Sequence, residues 1–191
     1  VFISLKLEDS VRWIGFSMLA TSVWGFFYGI ELTAQTLEEM LIWSKFQYIG
    51  LVLAPACWVA FSLKYTEYPT AGKPWIYASI FVFPILTYLI VLTNSWHHLH
   101  YKSNWLILDG PFPILGIEIG RWYLVQVSYS YLFYFLGTVI LWKRFQYANS
   151  HFKRQTRLLI IGGLFPLVIN VFYQTSWLKP FEGLDMTPYA F

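Results

Sequence analysis

Charge is scarce in this sequence. Only 12% of its 191 residues are Asp, Glu, Lys or Arg, whereas a soluble domain typically carries about 25%. So few charges cannot cover a water-facing surface, which excludes an ordinary soluble fold. Cysteine is almost missing. Cys57 is the single one and lies inside an apolar run, so there is no disulfide framework and no thiolate metal cluster. Soluble catalytic signatures are missing too: there is no Gly-rich phosphate loop, HExxH, G-x-S-x-G or DxDxDG calcium loop. The net charge of +3 is spread over loops, which argues for topology and against a nucleic-acid partner.

What remains is apolar and aromatic. Hydrophobic residues reach 57% and aromatics 21%, with 10 Trp, 14 Tyr and 17 Phe, and the mean hydropathy is +0.51. Trp and Tyr belt both interfaces of membrane proteins. The composition implies an integral membrane chain whose first partner is the lipid bilayer.

A spanning helix needs about 20 mostly apolar residues. Five stretches meet this: Val11–Gln35, Ile42–Tyr65, Pro74–Trp96, Arg121–Trp142 and Leu158–Leu178. None places a lysine at mid-membrane depth, so a retinal-type Schiff base has no site in them. The expected fold is an all-α polytopic membrane helix bundle forming one embedded domain over residues 1–191. Between the third and fourth spans, Lys102–Gly120 alternates apolar residues around Asp109-Gly110-Pro111-Phe112-Pro113. Gly and Pro at that density mark a turn, so an extracellular hairpin or lid is expected there. Val1–Leu7 reads as the tail of an earlier span. Thr187 followed by Pro188 reads as the N-cap and first residue of a further helix. The chain is therefore expected to be a fragment cut at both ends.

Orientation follows from Lys/Arg asymmetry. Lys6, Arg12, Lys64, Lys73, Lys143, Arg144, Lys153, Arg154 and Arg157 fall on one side. Lys45, Lys102, Arg121 and Lys179 fall on the other. The first set is expected in the cytoplasm, which puts Lys102–Gly120 outside and sends any helix starting at Thr187 inward.

Polar residues in the spans are the candidate functional groups. Asn94, His97, His98 and Tyr101 fall on one face if the third helix continues through them. Glu31 is expected near the outer end of the first span, with Arg121 or Lys45 as its partner. Gln126 with Ser130, and Asn170 with Gln174, are each four apart. The two pairs either line a cavity or join helices by hydrogen bonds. Pro55, Pro84 and Pro166 interrupt spans, and such kinks favour a cavity. No cofactor or metal is expected. A metal held by His97 and His100 is the weak alternative, because at most two of these histidines share a face.

Several stretches together resemble the N-terminal seven-transmembrane sensor region of bacterial membrane histidine kinases. They are Tyr48-Ile49-Gly50 leading to Pro55, Phe61-Ser62-Leu63-Lys64-Tyr65-Thr66, and Leu92-Thr93-Asn94 followed by His97. Arg154-Gln155 leading to Pro166, and Asp185-Met186-Thr187-Pro188, complete the ordered set. Asn94 and His97 match the pattern, whereas His98 and His100 are additions to it. The resemblance implies five complete helices of an expected seven, the first before Val1 and the seventh starting near Pro188. It also implies a signal-sensing input domain without catalytic residues, for an unknown small-molecule or membrane signal. A cytoplasmic PAS, histidine kinase or diguanylate cyclase domain would follow in the same chain, and a kinase parent would be a homodimer. The ligand-binding candidates are Asn94, His97, Glu31, Arg121, Gln126, Asn170 and Gln174. A small transporter or channel, and after it a membrane metalloprotein, are the competing readings.

Overall fold

The computed structural model describes residues 2–108, 113–147 and 150–174. In chain order the elements are α1 (Phe2–Glu31), α2 (Leu37–Tyr65), α3 (Pro74–Leu92) and α4 (Asn94–His97), then β1 (Tyr101–Ile107), β2 (Ile114–Ile119), α5 (Arg121–Tyr147) and α6 (Ser150–Gln174). Among the described residues, four helices are long and apolar enough to cross a membrane: Asp9–Glu31 of α1, and α2, α3 and α5. The chain is a helical membrane protein.

Several boundaries differ from the hydropathy reading. Residues 2–7 are continuous with α1 and are not the tail of a separate span. Thr36 starts α2 earlier than expected, because its hydroxyl accepts the Glu39 N–H at 3.3 Å as an N-cap. The third span ends at Leu92, before the expected Trp96. α6 begins in the basic segment at Ser150, and residues 175–178 of the expected fifth span lie outside the described residues. The helix start at Thr187-Pro188 lies outside them as well.

The central helix is α2, which packs against α1, α3 and α5. Lipid tails are as apolar as leucine, so helix contact in a membrane depends on close packing, and small residues permit it. Gly50 does this against α1, where a Cβ would strike the Ala20 carbonyl and the Trp24 amide. Further along α2, the Trp58 indole fills the space above Gly137 of α5 and Gly163 of α6. One aromatic side chain thereby holds three helices in register. Pro55 and Pro84 are fully buried inside their helices. At one end of the bundle Lys64 pairs with Asp9 at 3.2 Å, and the Tyr65 hydroxyl meets Thr156 of α6 at 3.3 Å.

At the other end the alternating segment forms the expected hairpin. β1 and β2 pair antiparallel, with Trp105 opposite Gly116 and Ile107 opposite Ile114. A bulge between Tyr101 and Ser103 shifts the register. Gly116 leaves room for the Trp105 indole to lie across the pair.

Candidate functional site

The site lies where the hairpin meets the ends of α1, α2 and α5. Glu31 closes α1 and is buried, and its carboxylate accepts a hydrogen bond from the Gln47 amide of α2. Ser44, Gln47 and Tyr48 are three and four apart, so one face of α2 presents all three toward this end. All three are buried.

The chain between α3 and β1 is a clamp built by Asn94. Helix α3 stops at Leu92, and Asn94–His97 form a separate single turn. His98 caps that turn in the left-handed region with φ 53°, a conformation that non-glycine residues seldom adopt. The reversal folds residues 99–101 back over the turn. The Asn94 Oδ1 accepts the His100 N–H at 2.8 Å and the Tyr101 N–H at 3.1 Å, while its Nδ2 donates to the Tyr101 carbonyl at 3.0 Å. Both ends of one amide are thus engaged. Gly120 N–H and Trp122 N–H then donate to the carbonyls of His100 and Leu99 at 2.8 and 2.9 Å. These bonds tie the loop to the start of α5. The Leu99 and His100 carbonyls lie where a Cβ on residue 120 would stand, so glycine is required by the close approach.

This geometry delivers His100 to the centre of the site with no solvent exposure. Its ring packs against Tyr48, Tyr101 and Tyr123, with centroids 4.8, 4.6 and 5.4 Å away. His100 Nε2 lies 2.6 Å from the Tyr48 hydroxyl, which in turn accepts from Tyr101 at 2.9 Å. Nδ1 is buried with no hydrogen-bond partner. Burial, with a smaller contribution from nearby His97, lowers the His100 pKa to about 4. Burial likewise raises that of the Tyr101 hydroxyl. On the exposed strand face, the bond from Ser103 and then the Lys102 ammonium lower that of Glu118.

The remaining candidates divide. His97 accepts the Leu99 N–H on Nδ1 at 3.0 Å and meets the Thr93 hydroxyl with Nε2 at 3.1 Å, so it closes the turn locally. His98 is exposed. The expected common face of Asn94, His97, His98 and Tyr101 does not form, because the helix breaks at Thr93 and again at His98. Glu31 is held by Gln47, and among the described residues no ion pair joins it to Arg121 or Lys45; Arg121 is exposed. Gln126 is buried on α5, with its amide on Ser130 at 3.0 Å and its Oε1 unpartnered. Asn170 of α6 accepts from the Tyr131 hydroxyl of α5, which joins those two helices. The Gln174 side chain lies outside the described residues. Among the described residues no group of three or more His, Cys, Asp or Glu could hold a metal, and the His97 nitrogens are already engaged.

The sequence gives His100 little weight, places Tyr101 on a helical face that does not form, and does not single out Gln47 or Tyr123. A weak signal was present for two residues: Gln47 and Tyr48 form a polar strip with Ser44 in an otherwise apolar helix.

The family model described as the N-terminal 7TM region of histidine kinase matches residues 1–191. No curated protein and no solved structure matches the chain.

Proposed function

The chain belongs to the family of N-terminal seven-transmembrane regions of histidine kinases, and from that premise we propose that it is the input domain of a membrane sensor kinase that reads its signal at the hairpin end. The observation that carries this reading is the clasp between loop and helix. Residues 99 and 100 are bonded to Trp122 in the first turn of α5 and to Gly120 just before it, and the His100 side chain is bonded to α2. A signal that moves the loop therefore acts on two packed helices at once. For a ligand to act this way it must bind the two arrangements with different affinity.

The Lys/Arg asymmetry supports a topology with the hairpin outside the cell and the segment from Lys143 to Arg157 in the cytoplasm. In this reading α6 is the fifth of seven spans, and a helix starting near Pro188 carries the shift inward to the output domain. That output is a histidine kinase core in the same chain, directly or through a PAS domain, acting as a homodimer. A diguanylate cyclase is the other output compatible with this input. The outer site supplies Asn94 and His97 as loop-setting groups, and Glu31 and Gln126 as buried polar groups. Arg121 stands at the rim. Asn170 and Gln174 lie on α6, along the route to the output.

The test is Asn94→Ala in the full parent protein, reconstituted in vesicles, with autophosphorylation as the readout. The expected result is altered output at an unchanged level of inserted protein. Unchanged output would overturn the assignment of the hairpin end as the signal-reading site.

A further inference from the structure

We propose that the proton is a ligand of the outer site: protonation of His100 expels its ring from the tyrosine cage and releases the hairpin from α2 and α5. The proposal rests on the sensor reading for its consequence, but not for its chemistry.

The chemistry follows from the hydrogen-bond inventory of the cage. Tyr101 donates to the Tyr48 oxygen, which leaves the Tyr48 proton to go to His100 Nε2. A neutral imidazole that accepts on Nε2 carries its hydrogen on Nδ1, and Nδ1 has no partner. Protonation puts a second N–H on Nε2, opposite a hydroxyl already acting as donor. The ring would then hold a full positive charge with one donor opposed and the other unmet. Burying such a charge without a paired anion is strongly unfavourable.

No facing group repairs this. From α2 the cage presents Tyr48, from β1 Tyr101 and from α5 Tyr123, all phenols. From α4 the nearby group is His97, which supplies no anion and acts against a charge on His100. The buried acid on α1, Glu31, accepts from Gln47 and acts electrostatically on Tyr48 and Tyr101, but no carboxylate bonds either ring nitrogen of His100. Lys102 and Glu118 pair with each other on the exposed strand face, and Arg121 is exposed.

The backbone supplies the hinge. His98, two residues before His100, sits at a left-handed φ of 53°, so the segment enters the cage through a strained turn. Outside the cage the ring regains the ordinary imidazole pKa near 6.5, against about 4 inside. The closed state therefore favours the neutral ring, and acid favours the open state. Opening becomes easier by about tenfold per pH unit between these two values and saturates at about 300-fold, the ratio that such a difference implies.

The test uses the protein in lipid nanodiscs, with amide hydrogen exchange corrected for intrinsic rates between pH 7.5 and 4. The amides of His100, Tyr101, Gly120 and Trp122 report closure. Their protection is expected to fall by about tenfold per pH unit below pH 6.5, while His100 itself resists protonation in the closed form. His100→Gln is expected to abolish that slope, and His98→Asn to keep it. Tyr48→Phe, which retains ring and cage, is expected to keep the slope with greater opening at every pH. Protection that is flat with pH in the wild type overturns the proposal, as does the same slope in His100→Gln. Autophosphorylation of the full parent protein separates the two readings. A hairpin that opens with His100 while output stays flat supports the switch and overturns the sensing role; a hairpin that stays shut overturns the switch alone.

Discussion

The Nε2 atom of His100 lies 2.6 Å from the hydroxyl of Tyr48, across 52 positions of sequence. This bond joins the loop ahead of the hairpin to the central helix, and both partners are buried. Replacing Tyr48 with Phe keeps the ring contacts and removes only the hydroxyl. Nε2 would then be a second unmatched nitrogen on a ring whose Nδ1 is already unpartnered. A buried polar group left without its partner costs about 1–3 kcal/mol. We expect Tyr48→Phe to lower stability by that amount, measured by thermal unfolding in one fixed detergent.

Asn94 acts on the same loop through backbone bonds. Its amide serves two N–H groups and one carbonyl. Asn94→Asp keeps the acceptor for His100 and Tyr101 and loses the donor to the Tyr101 carbonyl, whereas Asn94→Ala loses all three bonds. At about 1 kcal/mol per net hydrogen bond, Asp should cost about 1 kcal/mol and Ala about 3 kcal/mol. Exchange protection of the His100 and Tyr101 amides, measured in both variants at neutral pH, checks the order. Equal protection in the two would show that the donor to the Tyr101 carbonyl dominates the clamp.

These two residues show what the sequence made legible. Hydropathy found the helices but not their ends, because the bilayer demands apolar side chains only where the chain crosses it; four of the five expected spans qualify among the described residues. The turn expected at Asp109-Gly110-Pro111-Phe112 lies outside the described residues, but the hairpin strands were visible in their alternation. The interior of the site was not. A histidine near the end of an apolar span reads as an interfacial group, and only the break at Thr93 and the left-handed His98 turn His100 inward. Those backbone choices depend on Asn94 finding its partners six and seven residues later, which no helical period describes. The Glu31–Arg121 pairing failed to appear for a related reason. Charge complementarity suggests partners, but the buried Gln47 amide lies within reach of the carboxylate and Arg121 stays exposed.

Two glycines of the hairpin differ in what they meet. At Gly120 an added Cβ would strike the Leu99 and His100 backbone, while at Gly116 it would meet the Trp105 side chain. Backbone on the far side of two hydrogen bonds cannot yield, but a half-exposed indole can rotate away. Gly120→Ala is therefore expected to cost about 2–3 kcal/mol, in the range of other overpacked sites, and to expose the amides of residues 120 and 122. Gly116→Ala should cost about 1 kcal/mol or less and leave those amides protected. Exchange mass spectrometry of the two variants side by side distinguishes the outcomes.

The depressed pKa of His100 makes stability depend on pH, with a definite sign. The folded value, about 4, lies below the ordinary 6.5, so the unfolded chain takes up the proton first. Stability is full above about pH 6.5 and falls as the pH drops toward 4. The drop amounts to about 3 kcal/mol at 1.36 kcal/mol per pKa unit. Denaturation midpoints of the wild type and His100→Gln should therefore converge as the solution is acidified. A gap between them that stays constant from pH 7 to pH 4 would contradict the assignment of this dependence to His100.

In the proposed sensor, a signal at the hairpin would pass to the far end of the molecule through α2, α5 and α6, and Trp58 is where they meet. Its indole occupies the space above Gly137 and Gly163, and a Cβ at either glycine would overlap it. Gly163→Ala is expected to push α6 away from α2 at a cost of about 1–3 kcal/mol, the usual range for overpacking. Trp58→Phe, which shortens the ring on that side, should recover part of the loss when combined with it. A double-mutant cycle should then give a coupling of about 1 kcal/mol or more, as for residues in direct contact. The hairpin lies at the other end of α2, so protection of the His100 and Tyr101 amides should not change in Gly163→Ala. In the full parent protein the same variant is expected to uncouple autophosphorylation from the signal. If the hairpin amides lose protection together with the helix packing, the two ends form one cooperative unit and Trp58 is not a separable joint between them.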